Sequence, residues 1–138
     1  MILLASKSPG RLATLRAAGV EPLVRVSDVD EPAVLRALAA GSRTAPTPAQ
    51  QVQALARAKA EDVAGAVTRA ERQADPDLVV VGCDSMLEID GRVVGKPGTP
   101  EAARERWRSM RGRTGLLHSG HTLVRVRDGA RSHGVSST

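Results

Sequence analysis

The chain is nearly free of aromatic side chains: it has no Phe and no Tyr, and Trp107 stands alone. Its core must therefore be assembled from Leu, Val, Ile, Ala and Met. Base stacking, on which single-stranded nucleic-acid binders rely, has little to work with. Cys83 is the only cysteine, so no intrachain disulfide can form and nothing points to an oxidising compartment. Long apolar runs are missing too. Ile2 to Ala5 is far too short for a signal peptide or a membrane span, so a cytoplasmic protein without a membrane partner is expected. No Gly-x-x-x-x-Gly-Lys-[Ser/Thr] loop occurs, which excludes a P-loop nucleotidase. Lysine is scarce: only Lys7, Lys59 and Lys96 interrupt a basic complement otherwise made of Arg, so each retained Lys carries some information.

What is present fits one soluble domain spanning residues 1–138. Hydrophobic residues make up 41% and charged residues 25%, a balance that supports a packed core rather than disorder. The formal charge is +5. A basic balance can serve nucleic acid, an anionic surface or a phosphorylated small molecule. The basic residues are dispersed along the chain, which assigns most of them to solvated surface and disfavours nucleic acid as a partner.

The apolar runs Ile2–Ala5, Leu23–Val26 and Leu78–Gly82 read as strands. Met86–Ile89 and Arg92–Val94 flank an Asp90-Gly91 hairpin turn, and Leu116–Val126 turns at Asp128-Gly129 into a last strand near Ala130–Val135. Helices are expected over Pro9–Ala18, with Leu12 and Leu15 on its buried face, and over Ala33–Ala40. Two more are expected over Ala49–Ala74, and from Thr99 or Pro100 to Met110 with Ala103 and Trp107 facing inward. The order predicts a mixed α/β fold: a twisted central sheet with flanking helices forming two lobes around a cleft.

Four polar clusters sit where these elements meet: Ser6-Lys7-Ser8-Pro9-Gly10-Arg11, Asp28-Val29-Asp30-Glu31, Gly82-Cys83-Asp84-Ser85 and Gly95-Lys96-Pro97. Together they offer hydroxyls, backbone N–H groups, cations and carboxylates, the groups that hold a polyphosphate and a divalent cation beside an acid or base. A strand-to-helix turn at Ser6–Arg11 aims free N–H groups at an anion, although Ser8 also suits a helix cap. Alternation along an extended tail puts Asp28 and Asp30 on one face and Glu31 on the other, although Asp-rich turns are common. Asp84 follows the strongest strand directly, where a carboxylate can orient water, bind magnesium or simply cap the strand end. Lys59, within the apolar stripe of the long helix, must snorkel or meet an anion. Cys83 reads as a packing residue, and His118, His121 and His133 lack metal-ligand spacing.

In this order, Leu4-Ala5-Ser6-Lys7-Ser8-Pro9-Gly10-Arg11, Asp28-Val29-Asp30-Glu31, Ala58-Lys59-Ala60, Val81-Gly82-Cys83-Asp84-Ser85, Gly95-Lys96-Pro97, Met110-Arg111-Gly112-Arg113-Thr114 and His118-Ser119-Gly120 resemble the Maf proteins. These are nucleoside triphosphate pyrophosphatases of the inosine-triphosphatase-like fold. The resemblance implies hydrolysis of a nucleoside triphosphate to the monophosphate and pyrophosphate, with Mg2+ or Mn2+ as cofactor. It implies dTTP, UTP or modified nucleotides as substrates in a house-cleaning role, and a homodimer. By the same resemblance Asp84 is the proton acceptor, Glu31 and Asp84 are the metal carboxylates, and Lys59 and Lys96 neutralise the triphosphate. Ser6, Ser8 and Arg11 form the phosphate cradle, and Ser85, Arg113 and Thr114 help hold the substrate. Gly10 stands where many members have Arg and Ser85 where many have Thr, positions that bear on which nucleotide is taken. The chain also ends about where members begin a further conserved strand and helices, which implies a missing C-terminal part. The competing reading is a non-catalytic nucleotide- or nucleic-acid-binding module.

Overall fold

A computed structural model describes residues Met1–Thr138. Six strands form one mixed sheet and five helices flank it. The elements are β1 (Ile2–Ala5), α1 (Pro9–Ala17), β2 (Leu23–Val24), α2 (Glu31–Ala40), α3 (Pro48–Gly65), α4 (Arg69–Ala74), β3 (Val79–Ile89), β4 (Arg92–Val94), α5 (Pro100–Met110), β5 (Gly115–Arg125) and β6 (Arg131–Ser137). The sheet order is β2-β1-β3-β5-β6, with β4 on the far end of β3. β1 pairs in parallel with β2 and β3, while β3–β4, β3–β5 and β5–β6 are antiparallel.

The 11-residue strand β3 joins two regions. Its first half, Val79–Gly82, pairs with β1 in the body of the fold. Its second half, Leu87–Ile89, pairs with β4 across a hairpin whose turn residues Asp90 and Gly91 both have positive φ (49° and 73°), the geometry that matches strand twist. The apolar run and the extended Met86–Ile89 are thus one strand through Cys83-Asp84-Ser85. β5 pairs with β3 through all 11 positions, and this unbroken ladder carries the polar cluster through the sheet without interruption. Asp84 consequently lies in mid-strand, not at a strand end.

The core lies between the sheet and α3. Leu3, Ala5, Val80, Val124 and Val126 from the sheet meet Ala60, Val63 and Val67. α3 starts at a reciprocal capping box: Thr47 Oγ1 accepts from Gln50 N at 3.3 Å and Gln50 Oε1 accepts from Thr47 N at 2.9 Å, with Pro48 in the first turn. Its buried stripe is Val52, Leu55, Ala56, Lys59, Ala60 and Val63, the three–four spacing of one helix face. The expected continuous helix to Ala74 is instead two helices. Thr68 and Glu71 make a second capping box that starts α4, and that Thr-x-x-Glu signal is present in the sequence.

α3 lies unusually close to the sheet at two glycines. A Cβ on Gly82 would sit 2.1 Å from Ala56 O, and one on Gly120 would sit 2.4 Å from Val52 O. No other residue fits either position with the backbone where it is. The flank away from α3 is thinly covered. Leu12 and Leu15 of α1 are only half-buried, and Leu117 and Leu123 of β5 are exposed. Trp107 is 72% exposed, against the inward placement expected from its spacing; α5 buries no residue at all. β2 is a two-residue edge strand, shorter than the expected Leu23–Val26.

Candidate functional site

Gly82 and Gly120 bring α3 down onto β3, and this close approach sets Lys59 beside Asp84. On β3, side chains alternate between faces, so Asp84 follows Val80 and Gly82 onto the α3 face while Cys83 and Ser85 point the other way. Lys59 Nζ donates to Asp84 Oδ1 at 2.6 Å and pairs with Glu31 Oε1 at 2.7 Å. The side chains of Lys59 and Asp84 are 11% and 12% exposed, whereas Glu31 is half-exposed. Burial alone disfavours the Lys59 ammonium, but its hydrogen bonds to Asp84 and Glu31, with their charges, outweigh it and hold its pKa above the usual lysine value. Lys59 is therefore a permanent cation at neutral pH.

Glu31 reaches this point because Asp30 caps α2. Asp30 Oδ1 accepts from Ala33 N at 2.9 Å, which makes Glu31 the first helical residue. Asp30 and Glu31 do diverge, through a helix cap rather than strand alternation, but Asp28, expected on the face of Asp30, lines the same hollow as Glu31. Asp62 Oδ2, one turn along α3 from Lys59, accepts from Asp28 N at 3.0 Å and anchors the approach to α2.

Around the Lys59 pair opens a cavity of about 440 Å³, within the range of small-molecule sites. It gathers residues from five separate segments. Ser6, Lys7, Ser8 and Arg11 come from the β1–α1 turn, Asp28 and Glu31 from the start of α2, and Lys59, Asp84 and Lys96 from α3, β3 and the loop after β4. Four cations thus face three carboxylates across one hollow. Ser8 occupies the N-cap position of α1 but makes no side-chain cap hydrogen bond, so the helix-cap reading of its hydroxyl is not met. Instead Ser6 Oγ accepts from Ser8 N at 3.2 Å and from Arg11 Nη1 at 3.0 Å. The first-turn N–H groups of α1 remain available to an anion.

Arg11 also reaches Ser85 Oγ at 3.4 Å, and Ser85 Oγ lies 2.9 Å from Ser119 Oγ. Ser85 lines a second, more apolar cavity of about 320 Å³ with Leu87, Leu117 and Lys96. The two cavities share Lys96. Cys83 is buried, and burial pushes its thiol pKa up although Arg11 pulls the other way. This suits packing rather than nucleophilic attack.

Three of the expected site residues are engaged by other side chains or placed outside the two cavities. Lys59 is bound to the two carboxylates, so it organises them rather than standing free for phosphate. Arg113 is drawn away from the site by Asp90, with Nη1 at 2.7 Å from Asp90 Oδ2, and lines a different cavity beside α5. Thr114, exposed between α5 and β5, lines neither the polar nor the apolar cavity. Lys7, marked in the sequence by its rarity but given no role there, lines the polar cavity, is exposed, and has no ion-pair partner. Its rarity in an Arg-rich chain was the available signal.

Whether a divalent cation fits can be judged from the donor set. No group of three His, Cys, Asp or Glu side chains forms a metal cluster. Lys59 engages one oxygen of Glu31 and one of Asp84, which leaves the second oxygen of each for a ligand. Magnesium is commonly held by one or two carboxylates plus substrate phosphates. The residues thus fit a cation carried in with a polyphosphate.

The profile of the family described as Maf-like protein matches residues 1–138. The chain belongs to the Maf-like protein family. Its relatives include proteins named nucleoside triphosphate pyrophosphatase. One from Mycobacterium sp. (strain JLS) is 56% identical over 128 residues, covering 93% of this chain and 58% of the relative. One from Saccharopolyspora erythraea is 56% identical over 140 residues, covering 99% of this chain and 62% of the relative. A Rhodococcus opacus relative is 54% identical over 128 residues, covering 93% and 56%. This Maf-like chain therefore spans about six-tenths of the length of these relatives. No helix is long and apolar enough to cross a membrane.

Proposed function

We propose that this chain is a nucleoside triphosphate pyrophosphatase that hydrolyses its substrate to the monophosphate and pyrophosphate in the cytoplasm. The observation that carries the reading is the convergence of Lys7, Arg11, Lys96 and the α1 N-terminus on one side of a cavity whose other side holds the Lys59–Asp84–Glu31 cluster. The names of the relatives support the same reaction.

A triphosphate brings about four negative charges, which need fixed cations in a site of reduced dielectric. Lys7 and Lys96 have free ammonium groups. Arg11, oriented by Ser6 and Ser85, supplies a fixed fork of donors. Asp84, held by Lys59, accepts the proton of a water as that water attacks the α-phosphorus, and the pyrophosphate leaves toward Lys7, Lys96 and Arg11. Glu31 and Asp84 would hold Mg2+ or Mn2+ through their second oxygens. Such an ion, when bound, offsets phosphate charge and stabilises the leaving group. The nucleoside would extend into the apolar cavity next to Ser85, with dTTP, UTP or a modified-base triphosphate as the candidate substrates.

The test is incubation with a panel of these nucleotides and Mg2+, with pyrophosphate as the readout. Pyrophosphate release from wild type, lost in Asp84→Asn, is the expected result. Nucleotide binding with no turnover, unchanged by metal, would overturn the proposal in favour of a binding module.

A further inference from the structure

The basic residues are dispersed in the sequence but not in the fold. Residues 90–113, which comprise the β3–β4 turn, β4, α5 and the turn after it, contain six arginines and Lys96 against only Asp90, Glu101 and Glu105. This one lobe carries a net charge of +4 of the chain's +5. Its arginines fall into two groups. Arg92, Arg106 and Arg113 surround an open cavity of about 610 Å³ between β4 and α5. Arg104, Arg108 and Arg111 follow the three–four spacing of one helix face and bracket Trp107.

Trp107 is the only aromatic of the chain, and it is 72% exposed. Leaving an indole in water forgoes a large apolar burial. Here it lies at the edge of the apolar cavity, beside Ala103, Arg106 and Met110, on a helix that buries no residue. The carboxylates do not neutralise the surface. Arg104–Glu101 and Arg108–Glu105 are loose pairs at 3.4 Å and 3.6 Å between exposed side chains, the kind worth little and readily exchanged for another anion. Arg92 and Arg111 have no carboxylate partner.

We propose that the α5 lobe is a docking surface for single-stranded nucleic acid, with Trp107 stacking on a base and Arg104, Arg108 and Arg111 tracking the phosphates. A flat π-surface flanked by cations at helical spacing matches the two repeating features of a single strand, a base and a phosphate. An anionic bilayer would meet the charge, but α5 exposes only one large hydrophobic side chain, Trp107, to insert into it. Trp107 also borders the apolar cavity read above as the nucleoside site, whereas none of the four residues lines the polar cavity that takes the phosphates, and the proposal does not depend on the reaction there.

Because Trp107 is the sole Trp and no Tyr is present, intrinsic fluorescence reports on this surface and on the edge of the apolar cavity that it borders. The experiment titrates the full chain, in EDTA, with 12-nucleotide oligo(dT) and oligo(rU) bearing 5′-hydroxyl ends. A labelled oligonucleotide followed by anisotropy covers the variants. The expected result is quenching of Trp107, with affinity falling about 50-fold between 50 and 200 mM salt for roughly four phosphates engaged. Trp107→Ala should weaken binding about 10-fold or more. The triple substitution Arg104→Ala, Arg108→Ala, Arg111→Ala should abolish most of the salt dependence, with circular dichroism showing that the variant remains folded. Excess inorganic pyrophosphate, which addresses the polar cavity, and excess thymidine, which addresses the apolar one, should not displace the labelled strand beyond the ionic-strength effect of the pyrophosphate. Three results would overturn the proposal: no quenching at low salt, displacement by stoichiometric pyrophosphate or by excess thymidine, or quenching by phosphatidylserine vesicles without any by oligonucleotide.

Discussion

Gly120 on β5 is the register partner of Asp84 on β3, and the backbone of Val52 on α3 fills the space that a Gly120 side chain would need. The residue opposite the candidate proton acceptor is thus the one that lets α3 approach. Gly82, two positions before Asp84 on the same face, does the same for Ala56 and Ala60. The carboxylate, the lysine that holds it and the missing side chains that permit their contact form one packing unit.

Substituting Gly82→Ala or Gly120→Ala should therefore disturb the site through the scaffold. The overpacking is expected to cost about 1–3 kcal/mol, read as a lower urea midpoint. Turnover per folded molecule should also fall, because the helix that carries Lys59 must lift. Unchanged stability in both variants would contradict the close-packing account.

Lys59→Met should leave Glu31 and Asp84 facing each other without their shared cation. Loss of two charge-assisted bonds is expected to cost about 2–3 kcal/mol. The stabilisation from Lys59 is present below the usual lysine value of 10.5 and is lost as pH rises through its higher folded value. The alkaline limb of the wild-type stability profile should therefore flatten in the variant. Denaturant melts from pH 8 to 12 check this.

Lys7→Ala and Lys96→Ala should behave differently. Both side chains are exposed and unpaired, so the melting temperature should stay within error of wild type. Each loss should lower kcat/KM on the order of 100-fold if the ammonium meets phosphate charge in the transition state. Steady-state kinetics on the best substrate of the panel provide the measurement.

Acid stability depends on groups far from the site. Arg25, together with Thr68, holds the Glu71 carboxyl down at about 2. Arg125, with the Ala130 N–H, does the same for Asp128, also about 2. A depressed carboxylate contributes stability that is present above its ordinary pKa of about 4.5 and is lost as pH falls through about 2. Glu71→Gln should therefore shallow the loss of stability over that window, measured as the urea midpoint from pH 6 to pH 2.

Much of the fold was legible because its signals are local. Apolar runs marked β1 and the start of β3, Asp90-Gly91 marked the hairpin, and the Val52–Val63 stripe marked α3. The site clusters were legible because Ser6–Arg11, Glu31, Asp84 and Lys96 stand at element boundaries or in loops, where polar groups are exposed to a ligand. What the sequence did not reveal depended on tertiary partners. Lys59 spans two carboxylates from different elements, which no spacing rule encodes. Arg113 is captured by Asp90, 23 positions away. Trp107 reads as a core residue by period alone, yet α5 has no layer above it to bury the ring. The unbroken course of β3 through Asp84 was hidden because its polar residues look like a strand end until β5 is seen pairing with all of them.

The central claim is that a water activated at Asp84 attacks the α-phosphorus of a triphosphate held by Lys7, Arg11 and Lys96. Turnover in water enriched in oxygen-18, followed by mass spectrometry of both products, tests it most directly. The account predicts one heavy oxygen in the nucleoside monophosphate, none in the pyrophosphate, and no labelled product from Asp84→Asn. Label in the pyrophosphate, release of orthophosphate with a nucleoside diphosphate, or wild-type labelling by Asp84→Asn would contradict it.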